Sequence, residues 1–568
     1  MDQEKINTTW KQETIQIDVL VVGGGAAGAM AALSASESGA RVLLLTKGRL
    51  QNGCSRMAGS GMVAVMDRKD EKDQPEIHFE DTISEGCGLK NPALVEVMVR
   101  EAAEIVRFLD REGLPFEKYA DRFLLAQRPK HRFPRHLRTQ NSFGPHLMTC
   151  LGRAVKAQRI NLRENAMLTE VHLEDEEVAG AWAVDYYREV LLFISVSSIV
   201  LAAGGAGHLY PVTDNPLLMT GDGYAVALRA GAELVDMEMV EYERIMCAPP
   251  KLRGFSPSAN AFLSAGAQFY NVDGERFMER YDPERMEKST KAVLGRAMAL
   301  EDFANRTTPD GGLLLDCSEV YEIFAKNFPI KMRVIERAGI DLRRQPLELA
   351  LGAHCFLGGV RIDVDGRSSL PGLFAAGENA GGLHGAGRLG GEALTDALVF
   401  GRRAGRTAAK RAKEKSRRKQ QVDLPIHANL GPLGLGEVTL ERVGGLKKRL
   451  QKIMGEAGGL MRSQEGLSQG LKEIKALGNE LPARISPVGL VAGLSGPIVR
   501  ALGELSNLLL VGEAILISAK ERQESRGVHY RIDYPDLKNP EWGVNVLIRM
   551  GQSGFEVQRV LPGGNVQF

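Results

Sequence analysis

Cysteine is present but never paired. The six residues Cys54, Cys87, Cys150, Cys247, Cys317 and Cys355 are scattered, none nearer to another than Cys54 is to Cys87. That excludes the close spacings that hold zinc, an iron–sulfur cluster or a thioredoxin-like dithiol. So few scattered thiols fit a reducing cytoplasm. Net charge is also nearly absent: 72 Lys and Arg face 71 Asp and Glu, which argues against a nucleic-acid or anionic-membrane surface spread over the whole molecule. No long apolar run stands out. "VLLFISVSSIVLAAGGAG" is β-branched, broken by hydroxyls and ended by glycine, and the polar "MDQEKINTTWKQETIQ" has no apolar core of a leader. We therefore expect a soluble chain with no direct membrane insertion, joined to a membrane only through a partner. No repeat of fixed period is visible.

What is abundant is glycine, 64 residues in a chain of 568, a length that predicts about three or four domains. The stretch "IDVLVVGGGAAGAMAALSASESGARVLLLTKG" reads as strand, glycine turn, alanine-rich helix and second strand. Gly23, Gly25 and Gly28 stand at the G-x-G-x-x-G positions, with Ala27 between the last two. This grammar gives a tight turn, a close approach to pyrophosphate and a helix N-terminus whose free N–H groups face a phosphate. The second strand ends in Thr46 and Lys47, where an acidic ribose partner is usual; Lys47 could bond ribose or phosphate, or simply be solvated.

The same strand–glycine–helix order returns at "SSIVLAAGGAG…MTGDGYAVALRAGA" and at "LPGLFAAGENAGGLHGAGRLGGEALTDALVFGRRAG", while residues 236 to 350 carry more charge and fewer such units. We expect an α/β fold: a Rossmann-like dinucleotide-binding domain (1–235 and 351–415) interrupted by an inserted α+β domain (236–350), then a C-terminal helical domain (416–535) and an extension (536–568). The basic run "KRAKEKSRRKQQ" reads as a solvated helix end and linker. Residues 437 to 520 are helical by period, with Leu446, Leu450, Ile453 and Met454 on one face and Leu505, Leu508, Leu509, Gly512 and Leu516 on another.

On "GLFAAGENAGGLHGAGRLGGEAL", "GERFMERY", "GAHCFLGGV" and "ESRGVHYRIDYP" the chain resembles, in order and over nearly its whole length, the flavoprotein subunits of fumarate reductase and succinate dehydrogenase and the related L-aspartate oxidase. The resemblance implies FAD, which makes 1–235 and 351–415 a Rossmann-like FAD-binding domain, with 236–350 as an inserted α+β capping domain and a C-terminal helical domain behind it. It places the pyrophosphate at Gly23 to Gly28, adenosine near Thr46 and Lys47, isoalloxazine contacts around Ser55 and Gly61, and further contacts at Ala203, Gly204, Asp222 and Glu378. Arg388 to Leu394, including Ala393, would run beneath the ring, where a helix N-terminus stabilises the anion of a reduced flavin. Ser55 stands where respiratory members carry a flavin-linked histidine, so the FAD should be noncovalent.

The family transfers hydride between flavin N5 and a carbon beside a carboxylate, with a proton exchanged on the opposite face. By the resemblance, His354 and Arg388 match its carboxylate clamps. The remaining positions depart: "MVEYERIMCAPP" offers Glu243 and Arg244 at the place of a substrate histidine, the proton relay falls on Asn260 and Leu263, and the acid falls on Lys291. Arg276 and Arg280 are expected to bridge cap and flavin domain, and His384 to shape its turn. These departures lead us to expect C=C or C=N chemistry on an altered, carboxylate-bearing small substrate. Two alternatives stand beside it: L-aspartate oxidase, and an electron-transfer flavoprotein resembling that of adenylylsulfate reductase, which works with an iron–sulfur protein subunit.

Overall fold

The computed structural model describes residues 10–66, 72–140, 142–289, 291–416, 438–481 and 494–564. A five-stranded parallel sheet runs in the order Leu373–Ala375, Ile199–Leu201, Val19–Val22, Val42–Thr46, Asn161–Glu164. Its central strands are buried on both faces, which is why they read as unbroken apolar runs. After Val22 the chain turns through Gly23 into the helix Ala26–Glu37. A Cβ on Gly23 (φ +119°) would sit 2.0 Å from the Ala202 oxygen, and one on Gly28 would sit 1.9 Å from the Gly23 oxygen. Two glycines of the fingerprint are thus required by the protein's own backbone.

Segments far apart in the sequence meet beside this sheet. The helix Ala26–Glu37 lies against the helix Glu392–Ser416, and side chains on Gly401 and Gly405 would strike the Ala27 and Ala31 oxygens at 2.5 and 2.2 Å. The apolar stretch near residue 195 is divided between two sheets: Val190–Ser195 joins a four-stranded sheet with Lys11–Gln16, Glu177–Asp185 and Ala166–Glu174, and Ile199–Leu201 joins the parallel one.

An antiparallel sheet of Val240–Met246, Leu347–Phe356, Leu313–Asp316 and Gln268–Tyr270 forms a second layer with its own core, in which Phe262, Leu263, Phe269, Phe277 and Leu315 are buried. Leu347–Phe356 is long enough to leave this cap and reach the parallel sheet. Thr213 pairs with Ala353 as a bridge, and the Phe356 N–H donates to Glu378 Oε1 at 3.0 Å. Arg276 and Arg280 do not bridge cap to floor as expected. They bind Glu287 (2.7 Å) and Glu301 (3.0 Å), both cap residues, because these carboxylates are buried beside them and need a cation.

The helices Leu440–Ala457, Gln464–Gly478 and Gly496–Glu521 pack together after residue 438. Gly496–Glu521 is long and apolar enough to cross a membrane (mean hydropathy 1.5), but 72% of that window is buried inside the protein. Asn545–Gly551 and Gly554–Val560 complete a sheet with Leu234–Val235, Gly359–Arg361 and Ala380–Gly381. The "ESRGVH" segment fastens this end to the flavin domain. Glu524 accepts from Arg526 Nε at 2.6 Å, the Val528 N–H donates to the Ala386 oxygen at 3.0 Å, and a Cβ on Gly527 would meet that oxygen at 2.0 Å.

Glu301 is the ionic knot of the cap, accepting from Asn271, Arg280, Tyr281 and Arg306. Burial would raise its carboxyl, but Arg306, Asn271 and Tyr281 bring it down to about 2. Its contribution is present above the ordinary glutamate value of 4.5 and is lost as pH falls toward 2. Glu301→Gln should cost about 3 kcal/mol and flatten that acid dependence. Hydrogen exchange across the cap strands checks both outcomes.

Candidate active site

A trough crosses the C-terminal ends of the parallel strands, lined by Gly23, Gly25, Ser55, Ala203, Gly204, Glu378, Arg388, Gly391, Ala393 and Leu394, none of them fully buried. Gly25 differs from its neighbours: a Cβ there would meet only Ser55 Oγ, at 3.3 Å, so its bare face looks into the trough. The helix it precedes has no side-chain cap at its start, except that the Ala26 N–H donates to Ser55 Oγ at 3.1 Å. Ala27 is buried under Gly377 and Gly401. Asn379 holds the second turn open, accepting from the Ala203 N–H at 2.6 Å and donating to the Gly204 oxygen at 2.8 Å. Gly61 lies below the surface with its N–H donating to His136 Nε2 at 3.0 Å. This is a cradle with uncapped N–H groups at one end and a second helix start at the other. It fits a dinucleotide that carries a flat ring system.

Lys47, which sequence reasoning left between a nucleotide contact and a solvated strand end, is nearly buried and meets another candidate. Its ammonium lies 2.6 Å from Asp222 and 3.1 Å from Glu504, with side chains 9% and 11% exposed. Burial would lower its pKa, but the two carboxylates raise it above the ordinary lysine value. Asp222 also accepts from Thr220 and Asn507, and Thr46 is buried beside Gly24. The helix Glu392–Ser416 begins on an equally closed group. The Glu392 carboxylate accepts from Thr82 at 2.5 Å and lies 3.6 Å from His78 and 3.8 Å from Lys90, all without exposure. Burial raises the Glu392 carboxyl, and Lys90 and His78 more than reverse this, so it stays ionised. His384 faces Asp396 at 3.4 Å.

On the cap side, three cations each meet a carboxylate of the chain. Arg388 donates through Nε and Nη2 to Glu241 at 3.2 and 2.8 Å, the side chains 11% and 8% exposed. Arg244 Nη2 lies 3.1 Å from Glu243 and also donates to Asn260 Oδ1. His354 Nδ1 lies 2.8 Å from Asp214, whose neighbour Asn215 donates to the His354 oxygen at 2.9 Å. Burial works against the charged forms of Arg388 and His354, but Glu241 holds the first above its usual value and Asp214 holds the second above that of a free imidazole. His354 Nε2 makes no hydrogen bond among the described residues.

Sequence reasoning found Arg388, His354, Glu243 and Arg244, and the structure brings them together; it missed Glu241 and Asp214. A signal existed for Glu241. Two positions from Glu243 on the strand Val240–Met246, it shares that residue's face, while Tyr242 points away and donates to the Gly458 oxygen. Asp214, in "VTDNP", reads as an ordinary turn residue. Leu263 is buried in the cap core, so it cannot carry protons to the trough. Lys291 opens the helix Lys291–Phe303, but its side chain lies outside the described residues, as does the basic run beyond 416.

Fold and cradle together define a flavoprotein oxidoreductase of the doubly wound class. The FAD binding domain family matches residues 18–394, and the C-terminal family of fumarate reductase flavoproteins matches 447–560. The chain is 36% identical over 544 residues to a subunit of the fumarate reductase (CoM/CoB) of Methanothermobacter marburgensis, covering 95% of this chain and 98% of that one. It is 31% identical over 563 residues to an L-aspartate oxidase of Nostoc sp., covering 94% of each. Among solved structures, Mycobacterium smegmatis Sdh1 in complex with UQ1 is similar at a TM-score of 0.83 and 29% identity, over 97% of this chain and 94% of that one. The chain belongs to the fumarate reductase and L-aspartate oxidase family of FAD-dependent oxidoreductases, which act on CH–CH or CH–NH groups.

The pairing of His354 predicts a titration. Asp214→Asn removes the nearest group that holds the imidazolium and leaves Glu241 and Glu243 to act on it from further away. The His354 pKa, raised above 6.5 in the native protein, should fall from its native value, as read from its ring proton by NMR.

Proposed function

We propose that this protein transfers hydride between flavin N5 and an unsaturated bond of a small, carboxylate-bearing substrate that is not a simple dicarboxylate such as fumarate. One observation carries this reading: Arg388, Arg244 and His354, three cations placed to clamp substrate carboxylates, already hold Glu241, Glu243 and Asp214. A dianion entering such a site meets no net charge from these pairs and loses its hydration in return.

In this reading Gly23 to Gly28 and the helix behind them take the FAD pyrophosphate, and Ala203, Gly204 and Glu378 lie along the ribityl side. Lys47 shapes the adenosine end together with Asp222 and Glu504, the two carboxylates it already holds. Ala393 and Leu394 present the N–H groups of the second helix start to the ring. The flavin supplies the hydride; the chain orients the substrate and moves the proton. The FAD is noncovalent, with the Ser55 hydroxyl occupied in closing the first turn. His354 offers Nε2–H to the substrate carboxylate, and Arg388, tied down by Glu241, walls the pocket. Electrons arrive through an iron–sulfur protein partner. Support for this comes from the Methanothermobacter relative, which is itself one component of a larger enzyme. The protein works in the cytoplasm, and a partner makes any membrane contact.

L-aspartate oxidation is the second reading, favoured by the Nostoc relative. Stopped-flow reoxidation of the reduced holoprotein by unsaturated and imino acids tests both. Unsaturated monocarboxylates or monoamides should react fastest and fumarate at least ten-fold more slowly, and Glu241→Gln should restore reaction with fumarate by freeing Arg388. Rapid reoxidation of the native protein by fumarate would refute the altered pocket, and rapid reduction by L-aspartate would favour the second reading.

A further inference from the structure

We propose that Lys331, on the cap helix Pro329–Arg337, is the catalytic acid of this pocket, giving a proton to the substrate carbon on the face away from the flavin. This rests on the reading of hydride transfer to an unsaturated, carboxylate-bearing substrate. The Lys331 ammonium donates to the Ser256 oxygen at 2.9 Å and to Ser258 Oγ at 2.5 Å. These residues lie in the loop that leads into the helix Ala259–Ala265, whose Asn260 contacts Arg244 of the pocket. Ser258 holds a left-handed backbone (φ +69°), uncommon for a residue with a side chain and kept here where its hydroxyl receives the lysine. Asp214, which binds His354 at 2.8 Å, also acts on the Lys331 charge. One aspartate of the flavin domain thus acts on both the cap lysine and the histidine that would hold the substrate carboxylate.

Proton cost separates Lys331 from its neighbours. Arg388 and Arg244 do not give up protons at neutral pH, and loss of a proton from His354 would strand Asp214. Lys331 donates only to two neutral oxygens, with no ion pair to a carboxylate among the described residues, so neither bond loses a charged partner when the proton leaves. Burial lowers its pKa to about 8, against the pull of Asp214, the charged group that acts on it; its other close neighbour is the Phe255 ring at 5.9 Å. In the balanced step the alkene carbon beside the carboxylate takes a proton from the ammonium while the other alkene carbon takes the hydride. The lysine is left as a neutral amine and regains its proton from water.

The test uses the FAD-loaded protein, with Lys331→Met, Lys331→Ala and Lys291→Ala beside the native chain. Acylation rates of the Lys331 amine against pH, read by mass spectrometry, should place its titration near 8. The rate of reduced-flavin oxidation by the best unsaturated acid should fall above that pH in the native protein. Lys331→Met should lose 10²- to 10⁴-fold together with that pH limb, keep its flavin spectrum and its reduction by dithionite, and leave Lys291→Ala as the milder change. Added ethylammonium should restore Lys331→Ala. The proposal falls if Lys331 titrates as an ordinary lysine, if Lys331→Met keeps both rate and pH limb, or if Lys291→Ala is the more damaging. If Lys331 titrates near 8 yet no unsaturated or imino acid oxidises the native reduced flavin, the underlying substrate reading is overturned, and the acid role with it.

Discussion

A guanidinium that water can barely reach must be met by a carboxylate, and in this protein Glu241 meets Arg388 from within the chain. The pair spans the two layers: Arg388 belongs to the glycine-rich turn ahead of the helix Glu392–Ser416, and Glu241 to the first strand of the cap sheet. Removing either partner would leave the other charged and dry, a cost of several kcal/mol in such settings. Cap position, shape of the trough floor and charge of the pocket are therefore one constraint. Glu243 with Arg244 and Asp214 with His354 repeat the same balance nearby.

The scaffold around these pairs is stiff where the site needs it. Gly527 and Val528 press on Ala386, two residues before Arg388, so the C-terminal segment fixes the turn that carries the arginine. The strand Leu347–Phe356 brings His354 from the cap to the floor, and the Thr213–Ala353 bridge sets the distance at which Asp214 can hold it. At the other end of the trough, Lys47, Asp222 and Glu504 join the first βαβ unit, the turn after Thr220 and the long C-terminal helix. Distant parts of the chain thus converge on one cradle, and the glycines are the positions where their backbones touch.

Much of the floor was legible in the sequence because it follows local rules: a glycine fingerprint between two apolar strands, and repeated strand–turn–helix grammar. The cap pattern was legible only as a change of composition. What sequence reasoning missed lies in pairings between distant residues. Nothing local marks Asp214 as the partner of a histidine 140 positions away, or Glu241 as the partner of an arginine 147 positions away. Strand parity alone could have drawn attention to Glu241, since it shares a face with Glu243. The expectation that Arg276 and Arg280 tie cap to floor failed for a related reason: their partners Glu287 and Glu301 are buried inside the cap, and burial cannot be read from a charged residue's identity.

The central claim is that the three clamp cations, Arg388, Arg244 and His354, are neutralised by the chain itself. Comparing how succinate and its monoamide perturb the visible spectrum of the oxidised, FAD-loaded protein tests it most directly, because the two ligands differ by one carboxylate charge at nearly constant shape. The account predicts that the monoamide binds at least as tightly as the diacid. A diacid bound ten-fold or more tightly, about 1.4 kcal/mol, would show that a second carboxylate finds an open cation, and would contradict it.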